Sequence, residues 1–170
     1  TGILQDVDWS RTRAYGLGFN GLYLNLEGRE KSGIVSDAEA DALTAEIIGK
    51  LQALIDPVTG ENAVLHAKSS EAIYSGARLA EAPDIVVGYA AGYGCSEEST
   101  LGEITAEAFA DNTSRWSGNH LMAPEVVPGI LLSNQPLGRD GNDLTDVTAT
   151  LLDYYGLPIP ADMVGESFLP

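Results

Sequence analysis

A mixed fold of helices and strands is predicted by three features of the chain. Asn20-Gly21 sits between two segments of alternating side chains, a capping signal at Ser36 opens a long helical periodicity, and a β-branched run, Asp84–Tyr89, is bounded by Pro83 and by glycines.

The first element is a hairpin over Tyr15–Leu26. Asn-Gly is a strong two-residue turn signal because both residues tolerate positive φ, and Leu22, Leu24 and Leu26 then share one buried face. Gly28–Gly33 is polar and flanked by glycine, hence a loop. Ser36 followed by Glu39 has the form of a capping box, and Leu43, Ile47, Ile48, Leu51, Leu54 and Ile55 recur at helical spacing. A helix over Asp37–Ile55, stopped by Asp56-Pro57 and Thr59-Gly60, follows. Ala63–Ala67 is a short strand, Ser70–Tyr74 a helical turn, and Asp84–Tyr89 the stronger strand. Gly92–Ser114 has little periodicity and reads as a long surface loop. Pro128 interrupts the next apolar run, which leaves Ile130–Ser133 as its strand. Asp143 caps a final helix whose apolar side is Leu144, Val147, Leu151 and Tyr154 or Tyr155, ended by Gly156 and Pro158. Pro158–Pro170 then runs extended over the surface. No repeat or linker splits the sequence, so residues 1–170 are expected to form one α/β domain or one part of a larger one.

Composition narrows the function. The 170 residues carry 9 Lys and Arg against 25 Asp and Glu, a formal charge of −16, with 44% hydrophobic residues. Such a polyanion repels phosphate backbones and acidic lipid, so nucleic-acid surface binding is not expected. No apolar stretch approaches the ~20 residues of a membrane span. One cysteine, Cys95, cannot make an internal disulfide. The chain opens without Met and shows no basic segment followed by an apolar run, so no signal peptide is visible and the compartment stays open, as does the oligomeric state.

Chemically the supply is thin. His66 lies in a strand, where a semi-buried histidine is the plain reading. His120 follows Trp116-Ser117-Gly118-Asn119 in a loop, where functional side chains are often presented. Adjacent side chains from Ser117 to His120 cannot converge into a catalytic set. Glu97 and Glu98 beside Cys95 disfavour a reactive thiolate. Gly88–Gly94 follows a strand but lacks the Lys-Ser/Thr of a P-loop, so it is expected to be a tight turn.

Several blocks together resemble the alkaline phosphatase superfamily, nearest its type I phosphodiesterase/nucleotide pyrophosphatase branch. They are Asp8–Tyr15 running into Leu24-Asn25-Leu26 and Gly28-Arg29-Glu30; Ala82–Tyr89 with Gly92-Tyr93; Trp116–His120 followed by Val127–Asn134; and Asp146–Asp153 with Gly156–Pro160 and Asp162–Gly165. The blocks run in family order through nearly the whole chain. The resemblance implies the C-terminal part of a three-layer α/β/α sandwich, to which the hairpin and the long helix are peripheral. It implies a hydrolase of phosphate mono- or diesters with two divalent cations, zinc or manganese, and a small-molecule phosphate ester as substrate. His120 carries over as one metal ligand. The nucleophile and an Asp-His-Gly block of that family have no counterpart in these 170 residues, so no catalytic residue is expected in this chain, which should be inactive and metal-free alone with His120 partly exposed. Asn119 stands where the family often has Asp. A non-catalytic α/β binding or interaction module is the alternative.

Overall fold

The computed structural model describes residues 6–100, 105–116, 118 and 121–170. The chain mixes helices with a four-stranded antiparallel sheet and divides into two compact units, Thr1–Pro128 and Gly129–Pro170.

In the first unit the strands are β1 (Ala14–Leu17), β2 (Gly21–Leu24), β3 (Val64–Ser69) and β4 (Ile85–Tyr89), in the spatial order β1-β2-β4-β3. The expected hairpin forms with a different turn. Leu17 pairs with Gly21, so the loop is Gly18-Phe19-Asn20, with Gly18 at φ 74°. Gly18 takes the left-handed position before Asn20-Gly21 can use it, and Gly21 becomes the first residue of β2. A Cβ there would stand 3.1 Å from the Cβ of Pro83.

Helix α1 (Asp37–Gln52) starts as its sequence predicts: the Glu39 carboxylate accepts the backbone N–H of Ser36 at 3.1 Å and its hydroxyl at 2.6 Å. The helix ends three residues before Ile55. Pro57 steers Asp56 out of the helical region, and Asp56 Oδ1 accepts the N–H groups of Val58 and Thr59. Ile55 bridges Asn62 instead. The inner face of α1 covers the sheet: Ile47, Ile48 and Leu51 pack on Val64, Ala67, Ile85 and Val87, and Leu43 on Leu24 and Val35, with Ile47 touching both groups. Between β3 and β4 the predicted turn is a short 3-10 turn, Ser70–Ala72. The loop after β4 carries one helical turn, α2 (Glu97–Thr100). Tyr93 N–H donates to Ala90 O, so the predicted tight turn after β4 is present.

Within the second unit, α3 (Leu144–Tyr154) is capped by Asp143, which accepts Thr145 N–H, and closed by Gly156 at φ 64°. Two expectations fail here. Ile130–Ser133 is not a strand: Ile130 and Leu132 are 87% and 89% exposed, and with no ladder partner among the described residues an extended segment has nowhere to satisfy its backbone. The apolar stripe of α3 also faces largely outward, with Leu144, Leu151, Tyr154 and Tyr155 exposed and Val147 half-buried; Asp146, Ala149 and Thr150 are the buried side. The C-terminal segment claims that side. Glu166 N–H donates to Asp146 Oδ1, Phe168 N–H to Thr150 Oγ1, and a Cβ on Gly165 would drive into the carbonyl of Thr145. Only small or hydrogen-bonding side chains fit beneath so close a backbone.

Candidate functional site

His120, with Ser117 and Asn119, lies outside the described residues, and so does the expectation of its exposure. The described residues around that block are informative. Upstream, Ser114 Oγ and Asn112 Nδ2 both donate to the carbonyl of Trp116, whose indole is exposed. Downstream, Ala123 is fully buried and its N–H donates to the carbonyl of Tyr89 at 3.0 Å; a 3-10 turn over Pro124–Val126 follows. The end of β4 and the segment leaving the histidine block are therefore joined.

Glu125 in that turn meets the sheet. Its Oε2 lies 3.2 Å from His66 Nε2 on β3, and the His66 side chain is 17% exposed. The imidazole lies across β4 where its register partner is Gly88; a Cβ at Gly88 would occupy the ring's place. His66 Nδ1 is buried with no hydrogen-bond partner among the described residues. A proton on Nε2 lets the ring donate to the Glu125 carboxylate. The backbone N–H of Glu125 itself, then His66 and Lys68, hold the Glu125 carboxyl below the usual carboxylate range. His66 is thus the semi-buried strand histidine that its sequence suggested, with a carboxylate partner that spacing could not reveal, 59 residues away.

A second cluster joins two of the sequence blocks. Arg29 grips Asp84 with two nitrogens, at 2.9 and 2.7 Å, and donates to Glu30 from Nε and to the carbonyl of Leu24. Asp84 Oδ2 also accepts Leu24 N–H at 2.6 Å. Tyr23 lies beneath the guanidinium, 6.0 Å from ring centre to Cζ, and stacks on Tyr15. Burial and the Glu30 carboxylate push the Tyr15 phenol up to about 12. Arg29 and Asp84 line an open cleft of ≈ 420 Å³ with Ser70, Glu71, Leu79 and Ala82. Four donor contacts, two of them to the one Asp84 carboxylate, leave Arg29 committed, so this cluster clamps β2 to β4 rather than receiving an anion. The sequence offered Gly28-Arg29-Glu30 and Pro83-Asp84 as separate marks; their pairing across 55 residues is a product of the fold.

Two smaller groups are structural. Tyr93 donates to Asp56 Oδ2 at 2.9 Å, and the backbone N–H of Val58 is the main cause of the lowered Asp56 pKa. Tyr89, raised by burial and by Cys95 nearby, donates to the carbonyl of Phe19, while Cys95 Sγ lies 3.4 Å from the carbonyl of Ser96.

Among the described residues no group of three or more His, Cys, Asp or Glu side chains could hold a metal ion, so they do not by themselves supply a cation's ligand set. No helix among them is long and apolar enough to cross a membrane. No protein-family model, curated protein or solved structure matches the chain.

Proposed function

We propose that this chain is the C-terminal portion of a metal-dependent hydrolase of phosphate mono- or diesters, contributing His120 as one ligand of a two-cation centre, within a sandwich of the alkaline phosphatase type. The observation that carries the reading is the ordered run of sequence blocks, from Asp8–Tyr15 through Ala82–Tyr89 and Trp116–His120 to Asp146–Gly165. Two structural features support it. The Ala123–Tyr89 hydrogen bond joins the strand block to the residues just after the histidine block, and the Arg29–Asp84 clamp joins the two blocks before it. In such a centre the cations would polarise a phosphoryl oxygen and activate the attacking oxygen. In this reading the residues around His120 contribute architecture, and the nucleophile and the remaining ligands come from outside these 170 residues.

The test has two arms. The purified 170-residue chain, supplied with zinc or manganese, is expected to leave p-nitrophenyl phosphate and bis-p-nitrophenyl phosphate intact. In a longer polypeptide that contains it, His120→Ala should lower turnover by orders of magnitude and lower the metal content while circular dichroism stays unchanged. Metal-dependent multiple turnover that co-purifies with the short chain overturns the reading of a portion. Undiminished activity and metal content in the variant overturn the role of His120.

A further inference from the structure

We infer that His66, Glu125 and Gly88 form a latch that fixes Ala123–Val127, the segment leaving the histidine block, against the end of β4. Three observations carry this. The imidazole fits only because position 88 has no side chain: a Cβ there would collide with the ring. With its Nδ1 buried and unpartnered among the described residues, the ring has one polar atom left to use, Nε2, and that atom faces Glu125 at 3.2 Å. The segment it reaches is short and otherwise held to the sheet through Ala123, buried and bonded to Tyr89.

Besides the ring, the charged side chain acting on the Glu125 carboxylate is Lys68, from β3. Lys68 adds attraction for the carboxylate without competing for Nε2. The latch itself stands on this geometry. Its bearing on His120 rests on the hydrolase reading, and there His66 is a positioning residue: it acts through Glu125 on where the following chain is anchored and touches no reacting atom.

Amide hydrogen exchange and nitrogen NMR of the 170-residue chain test the latch. In the native chain the His66 ring should show a proton on Nε2. Glu125→Ala removes a side chain that is 57% exposed, so the fold should persist. The variant should speed exchange of the Ala123 N–H about tenfold or more, the loss expected for a charge-assisted hydrogen bond, and leave Ala90 N–H, bonded to Ala63 beside it, unchanged. His66→Ala should act alike, and His66→Gln, whose amide nitrogen can reach where Nε2 stood, should restore most of the protection. Gly88→Ala should open the latch from the opposite side. Ala123 exchange unchanged in a folded Glu125→Ala chain, or equal loss in His66→Gln and His66→Ala, overturns the latch. If His66→Ala unfolds the sheet, Ala90 exchange rises with Ala123 and the Glu125→Ala result decides. Because exchange is read without substrate or metal, an inactive His120 assignment would leave this outcome standing.

Discussion

Asp146 shows how much one carboxylate can organise. Its side chain is 7% exposed, and it accepts the N–H groups of Asp143 and Glu166 and an ion pair from Arg139 at 2.6 Å. The two backbone donors, with Arg139 adding its charge, hold its carboxyl below the usual value of 3.8. A depressed folded-state pKa stabilises the protein above the unfolded value, and that contribution is lost as pH falls through the folded one. The NMR signals of Ala149 and Thr150 should therefore disperse normally at pH 7 and collapse progressively below about pH 4. Asp146→Asn should weaken the unit at pH 7 and flatten that acid limb; an unchanged limb would mean that other carboxylates set it. At this scale the sequence shows a residue's chemistry but not its partners. Asp146 reads as an ordinary acidic residue in a first helical turn, and Arg29, Asp84 and Glu125 read as loop or strand-end charges, because their partners are chosen by chain segments that local spacing does not connect. The imidazole of His66 was legible as semi-buried from its place in a short strand, and the segment beside it was not.

Elements were legible where a local signal and the tertiary environment agreed. Ser36 and Glu39 open α1, Asp143 opens α3, and the β-branched run becomes β4, because caps and periodicity act over a few residues. Disagreement came where a neighbour competed. Gly18 took the turn from Asn20-Gly21, the Asp56 turn took Ile55 from α1, and the chain through Gly165 took the inner side of α3 from its leucines. The last reversal gives a paired expectation. Gly165→Ala should cost about 1–3 kcal/mol, since its methyl meets a backbone carbonyl that cannot move without shifting α3. Leu151→Ala, on the exposed stripe, should stay within about 0.5 kcal/mol. Urea unfolding followed by α3 amide signals would order the two variants. The opposite order would restore the periodicity reading.

For the whole molecule, the charge of −16 sets the background against which these contacts operate. Self-repulsion among exposed carboxylates is screened by salt, while half-buried pairs such as Arg29–Asp84 and Arg139–Asp146 are screened less. Raising sodium chloride from about 20 to about 300 mM should therefore raise Tm at pH 7 by a few degrees. A fall in Tm would show that ion pairing outweighs repulsion.

The strand order β1-β2-β4-β3 has a kinetic meaning as well. The β1–β2 hairpin closes through three residues and the β3–β4 pair through the fifteen residues 70–84, but the seam between β2 and β4 brings together groups such as Leu24 and Asp84, 60 residues apart. Closing so long a loop costs entropy that only the finished seam returns, so two locally assembled halves should exist before the sheet is whole. The clamp of Arg29 on Asp84 lies at that seam and locks it once formed. Weakening the clamp should accordingly appear first as faster unfolding, with the early folding rate nearly untouched.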